Sequence, residues 1–96
     1  MVFEIIVSPK AQREIENAID YYSLQNPEIP SKFIKSISES YSTLETNPFF
    51  SLRYKNIRAL KINRFPFSLY YIVDEKRKKV RVLSCFHNKR DPNKRP

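Results

Sequence analysis

Phe67-Ser68-Leu69-Tyr70-Tyr71-Ile72-Val73 and Val80-Arg81-Val82-Leu83-Ser84-Cys85-Phe86 are two runs of aromatic and β-branched residues. That composition suits a pleated, half-buried surface, so both read as strands. Asp74-Glu75-Lys76-Arg77-Lys78-Lys79 between them is polar and short, which makes it an exposed hairpin connection and pairs the two runs antiparallel. Upstream, Ile57-Arg58-Ala59-Leu60-Lys61-Ile62 alternates after its first residue, and Asn63-Arg64-Phe65-Pro66 supplies a reversal before Phe67. Residues 57–87 are therefore expected to form a three-strand meander with 67–73 at its centre.

The rest of the chain must cover that sheet. Residues 2–7 are apolar on nearly both faces and read as a further, inner strand. Ser8-Pro9 then supplies a hydroxyl N-cap followed by proline at the first helical position, where its missing N–H costs nothing. Ala11, Ile15, Ala18, Ile19 and Tyr22 fall on one stripe of the ensuing helix, while Arg13, Glu14, Glu16, Asn17 and Asp20 face water. Asn26-Pro27 ends it. A second helix starts at Pro30 or Ser31 and carries Ile34, Ile37, Tyr41 and Leu44 on its stripe, flanked by Phe33, before Asn47-Pro48 stops it. With a connection of about five residues, helices over 9–24 and 31–46 form a hairpin. The expected fold is α+β, with this N-terminal helical hairpin packed on a small twisted antiparallel sheet of about four strands. Residues 49–56 show no clear period and read as an irregular loop with anchoring aromatics. Residues 88–96 form a basic, proline-punctuated tail expected to be loosely ordered.

Ninety-six residues make one domain, 1–96, whose seven Phe and six Tyr compensate for a modest apolar share. Cys85 and His87 are the only cysteine and histidine, which excludes an intrachain disulfide and any metal site built from several such ligands. No metal or cofactor is expected. The first residues lack the basic region of a signal peptide, and no stretch is long enough to span a bilayer, so the expected location is the cytoplasm, away from membranes. The chain has no glycine. Phosphate-cradling loops, dinucleotide fingerprints and nucleophile elbows all need glycine where the backbone turns sharply or meets a ligand, so none of these can be present.

Net charge is +8, and it is segregated. Residues 1–48 carry four Lys/Arg against seven Asp/Glu, a balance of −3, while residues 49–96 carry fourteen against three, a balance of +11. Solubility alone would not need such separation, so a polyanionic partner is indicated: nucleic acid or an acidic protein. Arg58, Lys61, Arg64, Arg81, Lys89 and Arg90 lie on or just beyond the meander and are the candidate contacts to nucleic acid or target. Metal-free RNA cleavage needs a base for the 2′-hydroxyl, cations for the phosphate and an acid for the leaving oxygen. His87 with Arg58 and Arg90 are the candidate catalytic set, should the chain be a nuclease. The plain alternative is a solvated strand-end histidine and a solvated hairpin tip at Lys76-Arg77-Lys78-Lys79.

A strand, a Ser-Pro-x-Ala helix, a helix ending in Asn-Pro, Ile57-Arg58-x-Leu60, Phe65-Pro66-Phe67-x-Leu69-Tyr70-Tyr71 and His87-Asn88-Lys89-Arg90-Asp91-Pro92 follow one another in this order. Together they resemble the RelE/ParE superfamily of type II toxin–antitoxin toxins over almost the whole chain. The resemblance implies a toxin neutralised by a cognate antitoxin, with a toxin–antitoxin hetero-oligomer as its resting form. Its target is then DNA gyrase, as for ParE-like members, or the ribosome and its mRNA, as for RelE-like and YoeB-like endoribonucleases. In the RelE-like nucleases a catalytic arginine opens an Arg-Leu-Val-Tyr pattern on the penultimate strand. Here Ser68 stands at that position, and no tyrosine follows His87. What remains matchable is Arg58 and Lys61 on the basic strand, His87 near the C-terminal histidine of the YoeB-like branch, and Arg90. These departures draw the reading toward the ParE-like branch and gyrase. A ribosome-dependent endoribonuclease is the alternative, and a non-toxic nucleic-acid-binding module would account for the charge but not for the family pattern.

Overall fold

A computed structural model describes residues 2–50 and 52–89. In chain order it comprises β1 (Glu4–Val7), α1 (Pro9–Gln25), α2 (Ile29–Thr46), β2 (Leu52–Tyr54), β3 (Ile57–Lys61), β4 (Phe67–Asp74) and β5 (Lys79–His87). The strands form one sheet in the order β1-β5-β4-β3-β2. The meander stands as its pattern implied: β3 pairs antiparallel with β4 and β4 with β5, leaving β4 in the middle. Both helices pack on one face of the sheet, burying Ala11, Ile15 and Ala18 of α1 and Phe33, Ile37 and Leu44 of α2 against Ile62, Leu69, Tyr71, Val80, Val82 and Cys85.

The sheet is mixed rather than wholly antiparallel. β1 joins β5 in parallel, Ile6 beside Arg81, and sits at the edge rather than inside. Both helices and three strands lie between them. The helical hairpin carries the chain across one face to the far edge of the sheet, where β2 begins, and three antiparallel reversals through β3 and β4 then bring β5 beside β1 running in the same direction. Its apolar residues Ile5, Ile6 and Val7 are only half-buried, as an edge allows. A fifth strand, β2, occupies three residues of the presumed loop; all three are exposed and their register with β3 is irregular. So short a piece carries no readable period.

Helix α1 keeps its expected cap. The Ser8 hydroxyl accepts from the Ala11 amide at 3.1 Å and donates to the Leu83 carbonyl at 3.1 Å. Leu83 is the extra residue of a bulge, since Tyr70 pairs with Ser84 and Tyr71 already with Val82. In α2 the stripe is rotated from its expected position. Phe33 is fully buried and Ile34 is exposed, because Phe33 sits among Tyr22, Phe65 and Phe67 at ring separations of 5.5, 5.0 and 5.6 Å. This ring cluster ties both helices to β4 and to the turn before it; an aromatic pair contributes about 0.5–1.5 kcal/mol beyond its buried area. The connection between the helices is only Asn26–Glu28, shorter than expected.

With no glycine available, the left-handed turn positions fall to Lys55, Arg64 and Lys78, with φ of 51°, 71° and 55°. At the tip between β4 and β5, Asp74 accepts from the Arg77 amide at 3.1 Å and pairs with its guanidinium at 3.4 Å. These contacts, the amide first, hold the Asp74 carboxyl below its ordinary range. Of the tail, Asn88 and Lys89 follow β5 as a turn, and the rest, Arg90 included, lies outside the described residues.

Candidate functional site

A strand places alternate residues on opposite faces, and this divides the cations of the meander. Arg58 shares a face with its cross-strand partner Tyr71, on the helix side. There its guanidinium donates to the Phe50 carbonyl at 2.6 Å and lies 5.4 Å from the Phe49 ring centre. The Tyr71 hydroxyl donates to the Pro48 carbonyl at 2.8 Å. Burial pushes the Tyr71 phenol up, against smaller opposing effects of a backbone hydrogen bond and the Arg58 charge. Arg58 and Tyr71 thus clamp the 47–50 connection onto the sheet. Lys61, three residues on, faces the other way, and its ammonium donates to the Ile62 and Phe65 carbonyls at 3.4 and 3.3 Å. Arg81 is exposed on that same outer face, beside Ile72 and Ile6. As the strand geometry required, Tyr70 and Tyr71 part: Tyr71 enters the main core and Tyr70 a smaller cluster with Ala59 and Phe86.

His87 ends β5 opposite Phe67, with the two rings 5.1 Å apart and edge to face. Its Nδ1 accepts from the Lys89 amide at 3.1 Å, which leaves Nε2 to carry the proton of the neutral ring. The imidazole lines a cleft of about 290 Å³ with Glu14, Tyr21, Tyr22, Phe67 and Cys85. Glu14, expected on the wet side of α1, is half-buried here, and its Oε1 accepts from the Ser84 hydroxyl at 2.7 Å and the Cys85 amide at 3.2 Å. Burial, reinforced by the Glu14 charge, pushes the Cys85 thiol up to about 12. Buried to 2% exposure and held protonated, the thiol is an inert core group at neutral pH.

The end of the sheet at the β3–β4 turn therefore gathers Lys61, Arg64, His87 and Lys89, though Lys61 and His87 belong to opposite faces. Arg58 and Arg81 do not join them. Arg58 pairs with Tyr71 while His87 pairs with Phe67, four residues away, or about 13 Å along the strand. Ser68 lies between Lys61 and Phe86 in register, is 8% exposed, and donates to Asn88 Oδ1 at 2.7 Å. Asn88 also donates its amide to the Pro66 carbonyl at 2.8 Å, which closes this end of the sheet.

Arg64, exposed in the turn, meets two cations that charge segregation had assigned to the acidic half. Lys32 and Lys35 of α2 line one wall of a second cleft and Arg64 the other. Their spacing of three residues on one helix face was the available signal. Glu14 offered none, because its partners lie 70 residues away. Among the described residues no group of His, Cys, Asp and Glu is arranged to hold a metal, and no helix is long and apolar enough to cross a membrane.

The family model of the ParE toxin of type II toxin–antitoxin system, parDE, matches residues 5–92. No curated protein matches the sequence significantly. Among solved structures, the chain is similar to one from the chromosomal ParDE system of P. aeruginosa, at 22% identity and TM-score 0.75, over 90% of this chain and 96% of that one. It is also similar to a chain of the toxin–antitoxin complex RelBE2 from Mycobacterium tuberculosis, at 16% identity and TM-score 0.62, over 91% and 92% of the two chains. A YoeB dimer from Staphylococcus aureus shares 22% identity and a TM-score of 0.62 over 91% of this chain and 99% of that one.

Proposed function

The chain belongs to the ParE toxin family of type II toxin–antitoxin systems, and from that premise we propose that it is held inactive by a cognate antitoxin and acts by binding and inhibiting DNA gyrase. The observation that carries the choice of target is the Ser68–Asn88 pair. Where the RelE-like nucleases have their catalytic arginine, this chain has an uncharged hydroxyl, buried and already committed to a neighbour. Removing a charge aimed at the transition state typically costs about 10²–10³-fold in rate. Lys61, opposite Ser68 in register, faces away from His87 and donates to the Ile62 and Phe65 carbonyls, while Arg58 is bound to Phe50 on the helix side and stands about 13 Å along the sheet from His87. A cationic surface without an assembled phosphate-cleaving group suits binding better than chemistry. The two similar structures from toxin–antitoxin systems and the excess of +11 in the second half of the chain support an antitoxin that brings acidic groups together with apolar anchors.

One observation favours the second reading, a ribosome-dependent endoribonuclease. His87 opens onto a cleft at the end of the sheet where Lys89 also lies, so an acid–base group is accessible there. His87→Ala separates the two readings. A gyrase inhibitor should keep nearly full toxicity on induction, with soluble expression verified, because a single polar contact at a rim contributes little to affinity. An acid–base catalyst would lose about 10²–10⁴-fold in rate; restored growth together with loss of ribosome-dependent RNA ends would overturn the proposal.

A further inference from the structure

We propose that the cleft between α2 and the β3–β4 turn is a binding site for a nucleoside polyphosphate. The cleft measures about 690 Å³ and draws its walls from three elements: Tyr22 of α1, Lys32, Lys35 and Glu39 of α2, and Arg64 and Phe65 of the turn. Three cations against one carboxylate leave it with a charge of +2. Among the described residues, the side chains of Lys32, Lys35 and Arg64 have neither an ion pair nor a hydrogen bond. Lys32 and Lys35, three residues apart on one helix and faced by Arg64, repel one another, and Glu39, which forms no ion pair with them, leaves the excess of +2 in place. Uncompensated cations from two elements, converging on one concavity, are what an anion-binding place retains and a merely solvated surface does not need.

The remaining walls decide what kind of anion fits. Tyr22 and Phe65 are half-buried, with ring centres 5.4 Å apart, and offer apolar aromatic surface to a planar ring. Glu39 would repel a bare phosphate, yet it can accept from an exocyclic amine or a ribose hydroxyl. Mixed polarity over an aromatic floor, in a volume within the usual range for small-ligand sites, suits a nucleotide whose phosphates meet the cations and whose base meets the rings.

The test is calorimetric titration of the purified full chain at low salt with ATP, tripolyphosphate and adenosine. The expected result is saturable one-to-one binding of ATP, with tripolyphosphate and adenosine each at least about tenfold weaker. Lys35→Gln and Arg64→Asn should each weaken ATP about tenfold, the value of one charge-assisted hydrogen bond. Asparagine tolerates the left-handed region, and Lys32→Gln on the exposed helix surface serves in place of Arg64→Asn if that variant does not melt as a folded protein. Absence of saturable ATP binding, binding that the substitutions leave unmoved, or tripolyphosphate binding as tightly as ATP would overturn the proposal. Neither gyrase nor antitoxin enters this experiment, so its outcome is independent of the target.

Discussion

Glu14 projects from α1 onto the stretch of β5 that β1 does not reach, since β1 pairs only with residues 79–82. One carboxylate oxygen there satisfies a fully buried hydroxyl, Ser84, and the amide of Cys85. Glu14→Ala would leave both donors without that acceptor, and an unsatisfied buried donor costs about 1–3 kcal/mol. The expected loss is about 2–3 kcal/mol in urea unfolding, with Glu14→Gln costing less because it keeps an acceptor oxygen. A loss under about 0.5 kcal/mol for Glu14→Ala would mean that the contact carries no stability. Cys85 makes a pH-dependent prediction. Its thiol rises from the ordinary 9.0 to about 12 on folding, so the native state holds the proton more tightly than the unfolded one. The stability linked to it is complete below pH 9 and drains away as pH climbs toward 12. At pH 8 a thiol reagent should label the native protein far more slowly than the denatured protein, and Cys85→Ala should flatten the decline of stability above pH 9.

At the scale of elements, the 47–50 connection is held by two side chains from neighbouring strands, Arg58 and Tyr71, through the Phe50 and Pro48 carbonyls. Arg58→Ala should therefore lower stability by about 1–3 kcal/mol, the worth of a hydrogen bond to a charged group. Lys61→Ala, whose two contacts are long and no more than half-buried, should stay within about 0.5 kcal/mol. Thermal melts of the two variants check this; equal melting temperatures would place Arg58 among the free surface cations. Alternation in a strand made the opposed faces of Arg58 and Lys61 readable in advance, and the Ser8 cap of α1, the helical hairpin and the meander were legible for the same local reasons, whereas α2 starts at Ile29, ahead of the expected Pro30 or Ser31, and has no side-chain cap at Glu28. The parallel docking of β1, the three residues of β2 and the exchange of Phe33 for Ile34 were not. Each is decided by contacts distant in sequence: β5, the last strand, for β1; a partner strand for β2; and three rings supplied by α1, the turn and β4 for Phe33. Local pattern carries no information about these.

On the scale of the whole molecule, charge segregation identified the cationic half but could not say which cations meet. Folding sends Arg58 and Arg81 to different faces and brings Lys32 and Lys35, from the acidic half, to Arg64. The substitution at Ser68, by contrast, was visible from position alone, and its burial against Asn88 makes it the residue on which the choice of target turns. The most direct measurement adds the purified chain to DNA gyrase with relaxed plasmid, and in parallel to ribosomes programmed with mRNA. Binding without RNA chemistry predicts dose-dependent loss of supercoiling, reversed by the cognate antitoxin, while the mRNA stays intact. Unimpaired supercoiling together with ribosome-dependent cuts in the mRNA would contradict it.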